Sequence, residues 1–236
     1  MTLQDEIIST VSHEMRTPLT SIRGFSQTLL TSWDKLDDDN KKKFIKIIED
    51  QSNRLINLVE NILTVSKENS EKFILKKTDI NESINKILPL ITEKYKEHKF
   101  IFNRDKAPLF SNLDEDKFQQ IITNLLDNAG KYSNTGSRVV ISTILQGDFI
   151  FIKISDEGVG IAEGDFDKLF KKFSRIENHL TSKTQGNGLG LYITKNLVEK
   201  MNGQITFKSE LNQGTEFQIK FPVYNPEEVL KCSQKS

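Results

Sequence analysis

Phe44, Ile48, Gln51, Leu55, Leu58, Ile62 and Val65 recur at alternating steps of four and three residues. This heptad seam constrains the chain more than any other feature, because such a stretch buries its apolar edge only against other helices. Gln51 is its one polar member. A second helical pattern precedes it. Ile7, Val11, Met15, Pro18, Ile22, Phe25 and Leu29 fall within one arc of roughly 80° on a helical wheel. Between the two, Trp33 to Asn40 contains three consecutive aspartates and reads as a turn followed by a helix start, where acidic side chains suit the helix dipole. Together the segments predict an antiparallel helical hairpin. One hairpin cannot enclose both apolar seams, and each side chain of this size left exposed forgoes about 1.5–3 kcal/mol. Pairing two copies into a four-helix bundle, and so a homodimer, is the economical solution.

After Ser66 the pattern changes. Lys67 to Glu71 is polar and reads as a linker. Beyond it, short β-like runs at Phe73–Leu75, Phe100–Asn103, Arg138–Leu145, Phe149–Ser155, Gln204–Ser209 and Thr215–Phe221 alternate with helical runs at Asn81–Glu97, Asp114–Lys131 and Leu189–Met201. Gly147-Asp148 marks a hairpin turn between two of the strands. Adjacent hairpins and segregated helices predict an α+β two-layer sandwich with helices on one face of a mixed sheet. The expected domains are 1–68 for the hairpin and 72–223 for the sandwich, with 224–236 as a polar tail.

Composition narrows the function classes. Lys+Arg and Asp+Glu both number 33, so no global field draws the chain to nucleic acid or an anionic surface. Cys232 is the only cysteine, which excludes an intrachain disulfide and a Cys-rich metal site and suits a reducing compartment. No apolar run approaches the ~18 residues of a membrane span. The first residues carry Asp5 and Glu6 and do not read as a signal peptide. A cytoplasmic location is the expectation, with no membrane contact from this segment.

Four stretches carry chemistry. In Ser12-His13-Glu14-Met15-Arg16-Thr17-Pro18, the histidine lies about 200° from the apolar arc, on the solvent face of the helix. Neutral imidazole is a competent nucleophile, and a neighbouring carboxylate such as Glu14 can hold one ring nitrogen protonated so that the other attacks. The zinc-protease pair on a helix would need a second histidine where Thr17 stands. In Asn124-Leu125-Leu126-Asp127-Asn128-Ala129-Gly130-Lys131-Tyr132-Ser133, Asn124 and Asn128 share a helix face. Two carboxamides with a lysine one turn on can hold a hydrated Mg²⁺ and phosphate oxygens. Gly130 is unusual there, because glycine inside a helix costs about 1 kcal/mol against alanine. Asp156-Glu157-Gly158-Val159-Gly160 follows an apolar strand and offers a fixed acceptor beside backbone free to bend round a ligand. Gly186-Asn187-Gly188-Leu189-Gly190-Leu191 leads into a helix whose N-terminal N–H groups suit phosphate. Each stretch alone also has an ordinary structural reading.

Their order, together with the Phe-rich Leu169-Phe170-Lys171-Lys172-Phe173-Ser174-Arg175, resembles the bacterial-type sensor histidine kinases over roughly Asp5 to Pro222. The resemblance implies that His13 is the phosphoacceptor, Glu14 the acid/base that orients it, and Thr17 the residue that places water when a partner's phospho-aspartate is hydrolysed. It implies a Bergerat (GHKL-type) ATP-binding fold for the second domain, with ATP and Mg²⁺ as cofactors and a response regulator's receiver domain as partner. Asn128 then matches the metal ligand, with Asn124 beside it, Lys131 a phosphate contact and Tyr132 a residue near the nucleotide. Asp156 matches the acceptor for the adenine amine and Gly158 and Gly160 the hinge glycines. Gly186, Gly188, Leu189 and Gly190 match the segment under the phosphates. Arg175 matches an arginine that couples the lid to the histidine helix, the lid being about Glu163 to Gln185. Two positions depart from the family: Gly130 where a larger apolar residue is usual, and Asn187 where threonine is common. Relatives carry a sensor domain ahead of the hairpin, so either this chain is an excerpt or its sensor is a separate protein.

Overall fold

A computed structural model describes residues 3–66, 72–176 and 188–225, with side chains from residue 11 onward in the first helix. The chain divides into two units, Met1–Glu71 and Lys72–Ser236.

The first unit is the hairpin. Helix α1 runs Leu3–Ser32, a single 3₁₀ turn spans Trp33–Lys35, and α2 runs Asp38–Ser66. The Asp37 carboxylate caps α2, accepting from the Asn40 N–H at 2.7 Å. Phe25 meets Phe44 near the turn, with ring centroids 5.1 Å apart, and Glu14 reaches Arg54 farther out, so the helices are antiparallel. All the described members of both expected seams are turned inward, with Pro18, Leu29, Gln51 and Leu58 fully buried. Pro18 sits within α1, where it deprives the Glu14 carbonyl of its helical donor one turn from His13. Leu58 is 3% exposed in a single hairpin, so it belongs to the core between α1 and α2 and does not wait for a second copy. Leu58→Ala is expected to lower hairpin stability by about 2–5 kcal/mol. Urea unfolding of the helical signal measures this; a loss under about 1 kcal/mol would mean the site collapses round the cavity. Ile56, Val59 and Leu63 stay 55%, 41% and 49% exposed, along the other side of α2.

The second unit is a two-layer sandwich. Its elements are β1 Lys76–Asp79, α3 Ile80–Lys94, β2 Lys99–Asn103, β3 Phe110–Leu113, α4 Glu115–Lys131, β4 Arg138–Gln146, β5 Phe149–Asp156, a 3₁₀ segment Glu163–Lys168, α5 Gly190–Lys200, β6 Gln204–Glu210 and β7 Gly214–Pro222. The main sheet has the order β2-β4-β5-β7-β6, parallel only between β2 and β4. Alternation puts Val139, Ile141, Ile150, Ile152, Ile154, Phe217, Ile219 and Phe221 on one buried face. There they meet the apolar stripes of the helices, Phe118 packing edge-on to Phe221 at 6.0 Å.

Three expectations are corrected. Phe73–Leu75 is not a strand: Asp114, the cap of α4, takes the Ile74 N–H at 3.0 Å. Pairing falls instead to the polar β1, which forms a separate two-stranded sheet with β3. Neither strand carries an apolar alternation to betray it; Thr78 is buried and donates to the Leu113 carbonyl at 3.2 Å. Helix α3 stops at Lys94, three residues early, where Tyr95 leaves helical geometry. Tyr224, expected in the tail, is tied to β3 by its N–H to the Phe110 carbonyl at 2.7 Å. Beyond 225 the tail lies outside the described residues. Among the described residues no helix is long and apolar enough to cross a membrane.

Candidate nucleotide and phosphoacceptor sites

Asp156 continues the inward series of β5 past Ile150, Ile152 and Ile154, so the strand's own alternation aims its carboxylate at the helix layer. The N–H groups of Gly158 and Thr215 converge on its Oδ1 at 2.9 and 3.3 Å, leaving the second oxygen to accept from a ligand. Burial pushes the Asp156 carboxyl up to about 6 against the pull of those two donors. Thr215 was not anticipated, nor was Ser209, whose Oγ lies 2.8 Å from the Thr215 hydroxyl and accepts the Ile161 N–H at 2.9 Å. The period-two run Phe221, Ile219, Phe217 extended back one step would have found Thr215.

The loop after Asp156 docks closely. Gly158 forms a β-bridge with Ser133, and the Val159 N–H donates to the Tyr132 carbonyl at 3.0 Å. This joins the end of β5 to the end of α4, where Tyr132 in turn donates to the Asn128 carbonyl. Gly160 has φ 63° and a Cβ there would sit 2.0 Å from the Glu210 carbonyl, so only glycine fits.

On α4, Asn124 and Asn128 share a half-buried face. Asn124 Nδ2 donates to Thr194 Oγ1 of α5 at 2.8 Å, and its Oδ1 lies over Gly190, where a Cβ would come within 2.4 Å. Thr194 was also missed, because nothing local marks a buried threonine on an apolar helix face. Leu189 is buried, and Gly188, at φ 67°, lies against the backbone of Phe173 and Ser174. Gly186 and Asn187 lie outside the described residues. Lys131 is ion-paired with Asp127, and Arg175 is exposed. The segment expected as a lid is anchored at its start: Phe166 and Phe170 pack on Phe207 of β6, at 4.9 and 5.9 Å between centroids.

Among the described residues no cluster of His, Cys, Asp and Glu would hold a metal unaided. Carboxamide oxygens and phosphates are the ligands a hard Mg²⁺ accepts, so Asn124 and Asn128 fit a metal that arrives with a nucleotide.

On the hairpin, His13 and Thr17 are exposed on α1. Glu14 is half-buried and paired with Arg54 of α2, Nη2 to Oε2 at 3.0 Å, with each side chain about a fifth exposed (22% and 21%). Arg54 escaped the sequence reading because its partner lies forty residues away, on the other helix.

Comparison with known proteins covers both units. Residues 3–71 match the His Kinase A (phospho-acceptor) domain, and residues 113–225 match the Histidine kinase-, DNA gyrase B-, and HSP90-like ATPase family. The signal transduction histidine-protein kinase ArlS of Staphylococcus haemolyticus is 32% identical over 92% of this chain, and the sensor protein kinase WalK of Staphylococcus aureus 35% identical over 92%. The chain spans about half the length of these relatives, 48% and 53%. Among solved structures, the Acinetobacter baumannii histidine kinase AdeS has a TM-score of 0.69 at 26% identity, covering 90% of this chain and 98% of that one. Histidine kinase ThkA in complex with response regulator protein TrrA has a TM-score of 0.73 at 24% identity, covering 94% and 62%.

Proposed function

Because this chain belongs to the sensor histidine kinases of two-component systems, we propose that it moves the γ-phosphoryl group of ATP onto His13 and then to an aspartate of a response regulator's receiver domain. The observation that carries this reading is the pairing of an exposed histidine on a helical hairpin with an ATPase-type site built round Asp156.

The Asp156 oxygen left free by Gly158 and Thr215 accepts from the adenine amine. The N-terminus of α5, from Leu189 and Gly190, turns the positive end of its helix dipole to the phosphates. Asn128, with Asn124 beside it, would hold Mg²⁺. When bound, the metal neutralises charge that builds on the transferring group. Lys131 adds a cation there, and Tyr132 lies near the nucleotide. A ring nitrogen of His13 attacks the γ-phosphorus, the bond to the β–γ bridging oxygen breaks, and ADP leaves. Glu14 holds the opposite ring nitrogen protonated, and Arg54 fixes the carboxylate that does so. Thr17, one turn on, positions water when the same enzyme hydrolyses the regulator's phospho-aspartate. The complex described for ThkA and TrrA supports a receiver domain as partner. Because the reaction draws on ATP, the segment works in the cytoplasm.

Incubation with γ-labelled ATP and Mg²⁺ tests the reaction. Label that is lost in acid and survives base is expected; acid-stable label would place it on a hydroxyl and overturn the reading.

The hairpin pairs with a second copy. Ile56, Val59 and Leu63 form an apolar stripe that a single hairpin leaves in water. Val59→Lys is expected to give a monomer by sedimentation where the parent chain is a dimer at tens of micromolar, with helical content retained. A Val59→Lys dimer would place the interface elsewhere.

A further inference from the structure

Lys131 is ion-paired within a cluster to which no role has been assigned. Its partner Asp127 stands one turn earlier on α4 and is 16% exposed. Asp127 also accepts from the Tyr95 hydroxyl at 2.6 Å and pairs with Lys94 at 2.5 Å, both from the end of α3. Tyr95 reaches it because position 130 is glycine. A Cβ on Gly130 would stand 2.8 Å from the Tyr95 ring, so the ring fills the space that a side chain there would need. Gly130 therefore does not loosen α4: the gap in the helix is packed from outside. Burial favours the neutral form of Asp127, yet Lys131, Lys94 and Tyr95 together hold its carboxyl below the usual range. Burial and the adjacent carboxylate raise Tyr95, which stays a donor.

We propose that Asp127 is a holding station for Lys131, and that Lys94 and Tyr95 remain on Asp127 when Lys131 transfers to the phosphates of ATP. A half-buried carboxylate stripped of its only cation is costly. A station with one cation would resist releasing Lys131. A station with a second cation and a phenol donor releases it without stranding the charge. Lys94 is 57% exposed and Lys131 29%, so Lys94 is the weaker counter-ion; it already holds the other carboxylate oxygen of Asp127 and stays there when phosphate draws Lys131 away. Tyr95, Lys94 and Asp127 are thus positioning residues for a phosphate-binding lysine. The inference rests on reading Lys131 as a phosphate contact.

The test is calorimetric titration of the whole chain with a non-hydrolysable ATP analogue plus Mg²⁺, and separately with adenosine. Asp127→Asn abolishes the hold and is expected to tighten analogue binding about two- to fivefold, the scale of a solvent-accessible ion pair. Lys94→Met and Tyr95→Phe leave Asp127 dependent on Lys131 and are expected to weaken analogue binding by a similar factor. Adenosine, which has no phosphate, is expected to bind all three variants as it binds the parent. A merely structural cluster predicts one sign throughout, with adenosine weakened as well. Weaker analogue binding by Asp127→Asn, or no change in both Lys94→Met and Tyr95→Phe, overturns the station. Lys131→Met separates the two ideas: unchanged analogue binding there refutes the phosphate contact itself. A loss in Lys131→Met alone upholds the contact and overturns the station. If Asp127→Asn does not fold, Tyr95→Phe decides, since it keeps the ring packed over Gly130.

Discussion

His13→Gln is expected to abolish self-labelling from γ-labelled ATP while leaving ATP binding at the parent value. The chain has three histidines, so an acid-labile label has few places to go. His98 is a poor acceptor, because both its ring nitrogens are buried without hydrogen-bond partners among the described residues, against the edge of Tyr95 at 5.8 Å. His179 lies outside the described residues, and only the variant distinguishes it from His13. His13 is exposed on α1, so replacing it with glutamine removes the nucleophile and costs the hairpin almost nothing. The ATP site belongs to the other compact unit and keeps all its contacts. Retained labelling in His13→Gln would overturn the phosphoacceptor assignment. Loss of both labelling and ATP binding would point to a folding defect, which circular dichroism detects.

Asp156→Asn is expected to weaken ATP binding about ten- to hundredfold, the worth of a hydrogen bond to a charged group. Stability should not fall with it. The asparagine oxygen can accept the same Gly158 and Thr215 N–H bonds, while the burial cost that raises the carboxyl disappears. The sign follows from linkage. A buried aspartate lifted to about 6 binds its proton in the folded state at a pH where the unfolded chain has released it, so ionising it opposes folding. From this group alone, the folded domain is more stable at pH 5 than at pH 7, and Asp156→Asn removes that slope. Binding runs the other way. The ionised carboxylate is the stronger acceptor for the adenine amine, so affinity in the parent is expected to fall as the pH drops through about 6, by no more than Asp156→Asn costs. Asp156→Asn should show a flat profile over the same window. Parallel profiles in the two proteins, or equal binding of GTP and ATP by the parent, would remove Asp156 from base recognition.

Local patterns are what the sequence determined by itself. The heptad of α2 and the arc of α1 announced a hairpin because helical spacing requires no knowledge of the partner. The apolar runs at β4, β5 and β7 announced strands for the same reason, while their inward faces and the direction of Asp156 came from the paired sheet. His13 could be assigned to the solvent face from its angle to Val11, Met15 and Pro18. The motifs in their order carried the family. The tertiary structure alone decided which groups hold the motif residues in place. Arg54 finds Glu14 across 40 residues, Thr215 finds Asp156 across 59 and Thr194 finds Asn124 across 70. The polar strands β1 and β3 exist only as each other's partners. Gly130 looked like a weakness in α4 until Tyr95 was found packed against it. Periodicity reports which side of an element is apolar, because that depends on residues a few positions away. It carries nothing about a single hydrogen bond or a filled gap, because those depend on which distant atom the finished fold brings within reach.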